Sequence, residues 1–210
     1  MKLVNKYSVL ICVIISVILI VTATLLYPGG CLEDKNSIGF DWTKNFISNL
    51  FAAKAINGLE NASRIWAITG MVFHSFSYGL FFIHSSKKMA TKHATFMLKW
   101  IGIFSFLFTF LIVTPLHDMM VIFSATLFLI GIFYITVFLL KTKLHLQKIG
   151  CIFCLLIFYY TLFVSGTGDL GLLAIMQKVS FISSMLLILG LEYFTKREDF
   201  SQKETIKPHL

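Results

Sequence analysis

Six runs of apolar residues, each long enough to cross a bilayer, decide what this chain can fold into. A helix rises about 1.5 Å per residue, so about 18 or more apolar residues cross a hydrocarbon core of roughly 30 Å. The first run, residues 7–27, reads YSVLICVIISVILIVTATLLY, and the second, 65–84, reads IWAITGMVFHSFSYGLFFIH. The other four cover about 94–114, 119–140, 149–166 and 170–194. Composition agrees: 57% of the 210 residues are hydrophobic and 13% charged, against the roughly 45–50% apolar usage of soluble domains. The reading is an all-α polytopic membrane protein, with six transmembrane helices in one bundle over residues 1–194. A polar, mobile cytoplasmic tail follows at 195–210. The connections after spans two to five are short, so each span is expected to pack antiparallel to the next.

The charges predict an orientation. One set of loop ends carries thirteen basic residues, among them Lys2, Lys6, Lys87, Lys88, Lys141 and Arg197, against four acids, for a net +9. The opposite set has four basic residues against six acids, a net −2, and Lys178 lies within span six. The positive-inside rule then places both termini in the cytoplasm. The basic balance is thereby a matter of topology and anionic lipid, and nucleic acid is not an expected partner. Membrane lipids are, and for a prokaryotic source the location is the cell membrane. The apolar stretch of span one is longer than the usual 7–15 residues of a signal peptide, so it reads as a retained anchor.

Cysteines add little. Cys12, Cys151 and Cys154 lie within spans, leaving Cys31 alone in a loop. The pair Cys151 and Cys154 has redox or zinc spacing, but in a helix residues three apart simply share a face and no second pair completes a tetrahedral site.

Polar groups inside a bilayer are costly and normally face protein, so they mark where function is sought. Span two carries Gly70, His74, Ser77 and His84 on one helical face. His74 reads first as a neutral imidazole hydrogen-bonded to a neighbouring helix and second as a catalytic group or ligand. Span six carries Gln177 and Lys178, and the lysine needs a partner from elsewhere in the fold. The outer loops offer Thr114, Pro115, His117 and Asp118, and then Asp169. Thr114 and Pro115 read as the N-cap and first turn of span four, where Asp118 suits the helix dipole, and Asp169 reads as a cap of span six. Together His74, His117, Asp118, Asp169 and Lys178 outline a polar pocket at the outer half of the bundle. No cofactor is predicted. A divalent metal on His74, His117 and Asp118 is permitted by residue type, but no helix has the His-x-x-x-His or Glu-x-x-His spacing that sets two ligands together.

The first outer loop contains GFDWTKNFISNLF, residues 39–51. Phe40, Ile47, Leu50 and Phe51 are spaced as an amphipathic helix over 41–51, with Asp41 or Thr43 as its N-cap. Its aromatics suit the headgroup level, and Asn45, Ser48 and Asn49 turn to polar groups as part of a lid.

In these residues the chain resembles the six-span membrane proteins grouped as domain of unknown function 998. Tyr27, Pro28, Gly29 and Gly30 close span one; Phe40, Asp41 and Trp42 follow, then Asn45 through Leu50, Asn61, the Thr114 to Asp118 segment and the Gln177, Lys178 pair. The resemblance covers about residues 7–194. The family pattern has an acid where Asn49 stands and a glycine where Phe51 stands. The layout is also similar to that of damage-regulated autophagy modulators and GPI-anchor remodelling proteins, which implies an association with membrane lipids. The expected function is lipid-associated or lipid-handling, more a non-enzymatic bundle than an enzyme. The alternatives are an intramembrane lipid-headgroup enzyme, with His117 or His74 as base or ligand and Lys178 on phosphate, and then a small-substrate transporter.

Overall fold

The computed structural model of the protein describes residues 2–200. Six long helices follow one another: α1 Lys2–Leu26, α2 Arg64–Lys88, α3 Lys92–Leu111, α4 His117–Leu139, α5 His145–Thr167 and α6 Leu170–Phe194, with a short α7, Arg197–Phe200. All six are long and apolar enough to span a membrane. This suits lipid, where each backbone N–H and C=O must find its partner within the segment. Among the described residues there is no strand, only two isolated bridges, Gly29 with Ile38 and Lys54 with Glu60.

Consecutive helices pack against each other, and α2 sits at the centre, touching α1, α3, α6 and α7. Its place follows from its sequence. It is the least apolar of the six and the most buried, because Ser75, Ser77 and His74 would be costly against lipid. Small residues let its neighbours close in: a Cβ on Gly102 of α3 would stand 2.8 Å from the Gly79 carbonyl oxygen, and one on Gly70 would stand 3.0 Å from Ile20 of α1. Phe81, Phe82, Leu98, Ile132 and Ile188 fill the middle of the bundle.

At the end of the bundle where α1 begins and α6 ends, α2 is fastened to α6. His84 Nδ1 lies 2.7 Å from Glu192 Oε1. Lys88 Nζ donates to the Glu192 carbonyl at 2.7 Å and to that of Leu191 at 3.2 Å, satisfying acceptors that a helix C-terminus leaves open. Phe200 of α7 is buried in the same core. The tail expected from 195 onward is therefore folded as far as residue 200, and its remainder, 201–210, lies outside the described residues.

The opposite end is closed by the first loop, residues 27–63. Gly29 and Gly30 take φ of 135° and 85°, a region that disfavours side chains, and a Cβ on either would run into the backbone of Ser37 or Asn57. Three asparagines then bind the loop to itself. Asn45, fully buried, donates to the Gly30 carbonyl at 2.8 Å and accepts from Asp41 N at 2.9 Å. Asn49 Oδ1 accepts from Phe46 N at 2.7 Å. Asn61 Nδ2 donates to the carbonyls of Asn49, Leu50 and Ala52, while its Oδ1 accepts from the Ser63 hydroxyl at 2.6 Å.

The amphipathic helix expected over 41–51 is corrected to a single 3-10 helix, Ile47–Phe51. The run is broken at Phe46, whose backbone is extended at φ −77° and ψ 148°, and before it stands a single turn in which the Asp41 carbonyl accepts from Asn45 N at 2.9 Å. Asp41 opens that turn, its Oδ1 accepting both the hydroxyl of Thr43, at 2.7 Å, and the amide, at 2.8 Å. These bonds, the hydroxyl's first, hold the Asp41 carboxyl below the usual carboxylate range. The apolar half of the pattern is kept, because Ile47, Leu50 and Phe51 are buried.

Candidate functional site

Beneath the first loop is a cavity of about 610 Å³, walled by α2 to α6 and roofed by Phe46, Ile47, Ser48 and Phe51. Its size falls within the roughly 300–1,000 Å³ typical of small-molecule sites. Much of the wall is aliphatic or aromatic, with Met71, Phe128, Phe158 and Phe181 prominent. Ile122 of α4 and Leu162 of α5 both line it and are 63% and 46% exposed. The cavity is thus open at the seam between α4 and α5, the most loosely packed of the consecutive helix pairs.

The polar groups fall into two sets. Some satisfy each other between helices: Thr109 of α3 with Ser124 of α4 at 2.6 Å, Thr161 of α5 with Ser180 of α6 at 2.8 Å, and Tyr78 of α2 with Ser184 of α6. Others are unpaired. His74 Nδ1 and Ser105 Oγ are buried without a hydrogen-bond partner among the described residues, and both side chains line the cavity. His74 is 5% exposed and Ser105 2%. The hydrogen bond expected from His74 to a neighbouring helix is absent; its ring instead stacks on Phe181 at a centroid distance of 4.3 Å and leans on Tyr78 at 4.4 Å. The serines beside it are turned away from nucleophilic work, since Ser75 donates to the Met71 carbonyl and Ser77 to that of His74.

His117 and Asp118 also line the cavity. His117 Nδ1 lies 2.7 Å from the Ile112 carbonyl; a carbonyl only accepts, so Nδ1 carries the proton and, in the neutral ring, Nε2 is left as an acceptor. Asp118 stands in the first turn of α4, where the helix dipole favours a negative charge. Thr114 is not the helix cap expected, because α4 begins at His117 and the Thr114 hydroxyl donates back to the Leu111 carbonyl.

The remaining candidates lie elsewhere. Asp169 caps α6, accepting from Leu172 N at 2.9 Å, and is not part of the cavity wall. Lys178 is likewise outside the wall, and its hydrogen-bond partner is neither Asp118 nor Asp169. Its Nζ donates to the Asn45 carbonyl at 2.6 Å and to Ala174 of its own helix at 2.7 Å, with the Phe40 ring centroid 5.9 Å away. The neighbouring Gln177 does line the cavity; its Oε1 accepts from Ile47 N at 2.8 Å, leaving its amide nitrogen as a donor on the wall. Gln177 and Lys178 therefore tie the lid to α6 from adjacent positions. Asn45 and Asn49 serve the lid's interior, and of its polar residues Ser48 reaches the cavity.

Compared with family models, curated proteins and solved structures, the chain matches none. The site is accordingly read from its own geometry. Among the described residues no three His, Cys, Asp or Glu side chains come together as metal ligands, so His74, His117 and Asp118 share a cavity without forming a coordination set. Ser105 and Thr109, which sequence reasoning passed over, are spaced four apart on α3 and both buried. That spacing of polar residues on one face of an apolar helix was the available signal.

Proposed function

We propose that the protein is a lipid-handling bundle that holds one membrane amphiphile in the cavity beneath the first loop. The observation that carries the reading is an apolar cavity, open at a helix seam, with His74 Nδ1 and Ser105 Oγ unsatisfied in its wall. Buried polar atoms are nearly always paired, and leaving one unpaired costs about 1–3 kcal/mol. Both atoms are shielded from the cavity as they stand, so a ligand recovers that cost when a small shift of either side chain turns its polar atom to the cavity. The apolar wall and the α4–α5 seam suit a molecule that partitions into lipid. The charge bias of the loops supports a cell-membrane location with cytoplasmic termini and an outward-facing lid. The layout's similarity to damage-regulated autophagy modulators and GPI-anchor remodelling proteins supports the same association with lipid.

Native mass spectrometry of detergent-extracted protein tests this. The expected result is one co-purifying lipid-sized molecule per chain, displaced when His74→Phe is introduced. Protein that emerges without such a mass, and that takes up no added lipid, refutes the reading.

A further inference from the structure

Resting on that lipid-handling reading, we infer that the cavity selects an uncharged head bearing hydroxyl or carbonyl oxygens and rejects a phosphate-bearing one. Among the described residues of the wall there is no lysine or arginine, and Asp118 is its one carboxylate. A phosphate drawn into such a site would lose its hydration without gaining a permanent cation and would meet the Asp118 carboxylate, which is strongly unfavourable. Lys178 is close in sequence to the wall but does not supply the missing charge. Two of its three N–H donors are taken by the Asn45 and Ala174 carbonyls, and its side chain lies between lid and α6 instead of facing the ligand space.

What the wall does offer is a set of neutral hydrogen-bonding groups: the free amide nitrogen of Gln177, the Nε2 acceptor of neutral His117, and the His74 and Ser105 side chains, whose orphaned Nδ1 and Oγ a small shift would turn to the cavity. A hydroxyl both donates and accepts, so it satisfies either tautomer of His74 and either rotor of Ser105. His74 is ten residues into α2, about 15 Å from the helix start, so the head enters the bundle's interior. The chain then leaves between Ile122 and Leu162, through the α4–α5 seam.

The test uses two probes that share one acyl chain and differ by a phosphate, 1-oleoylglycerol and 1-oleoyl lysophosphatidate. Each is titrated into the delipidated full-length protein, and bound fractions are read by native mass spectrometry. The expected result is retention of one 1-oleoylglycerol per chain, at least about tenfold tighter than the lysophosphatidate. In His74→Phe the affinity for 1-oleoylglycerol falls about tenfold, the equivalent of one lost hydrogen bond. Equal or tighter retention of the lysophosphatidate overturns the neutral-head inference and leaves the lipid-handling reading standing. Retention of neither probe overturns both. Ser105→Ala provides a second variant with little effect on folding, and undiminished 1-oleoylglycerol binding in both variants removes the assigned contacts.

Discussion

Replacing His74 with phenylalanine is expected to stabilise the protein while weakening its ligand. The imidazole is buried and its Nδ1 has no partner, a situation that costs about 1–3 kcal/mol. Phenylalanine carries no polar atom to desolvate. It keeps the stack on Phe181, at an interplanar angle of 16°, where aromatic pairing contributes about 0.5–1.5 kcal/mol. His74 lines the cavity, which offers space for the slightly larger ring. For a chain of this length about 2–4 °C accompanies each kcal/mol, so the midpoint should rise by about 2–12 °C. The assay is thermal unfolding of delipidated protein in detergent, followed by tryptophan fluorescence. His74→Ala also removes both nitrogens but leaves a hole beneath Phe181, and should melt below His74→Phe. A midpoint for His74→Phe at or below that of the parent would refute the argument, because it would mean that His74 is satisfied where it stands.

Three further perturbations address the lid. Lys178→Met removes a charged donor from the Asn45 carbonyl, worth about 1.5–3 kcal/mol, and should speed tryptic cleavage after Lys44; unchanged cleavage would show that the lid is held without it. Asn49→Ala deletes the acceptor for Phe46 N and should cost about 0.5–2 kcal/mol in thermal stability, whereas Asn49→Asp keeps an acceptor oxygen there and should match the parent. Acidification should loosen the Asp41 turn. Its folded pKa is lowered, so its contribution is full above the unfolded value near 3.9 and is lost as pH falls through the folded value. Hydrogen exchange across residues 40–46, corrected for intrinsic rate, should accelerate below about pH 4, and flat protection there would contradict the assignment.

The spans were legible because hydropathy over about 20 residues integrates many weak signals into one strong one. The central position of α2 was legible in part, since its polar face had to turn inward. The partner of Lys178 was not. Sequence reasoning looked for an acid, and the structure supplies the Asn45 carbonyl, a group every residue has and none advertises. The lid helix failed for a related reason: Phe40, Ile47, Leu50 and Phe51 are spaced as a helix face, but the backbone is extended at Phe46 and splits the stretch into one turn opened by Asp41 and the 3-10 helix. Periodicity registers side chains that are buried and is blind to local backbone competition. The cavity itself was hidden because its wall is shared among five helices, α2 to α6, and the lid, which no single stretch of sequence brings together.

The three loop asparagines have a consequence for divergence. Asn45, Asn49 and Asn61 direct their side chains at the loop's own backbone and one another, so these three letters encode a closure and not a preference for any molecule. Two proteins could share that closure to the letter and carry different cargo. The discriminating letters would be single serines, threonines and histidines scattered along α2, α3 and α6, each unremarkable in its own helix and meaningful only where the helices meet.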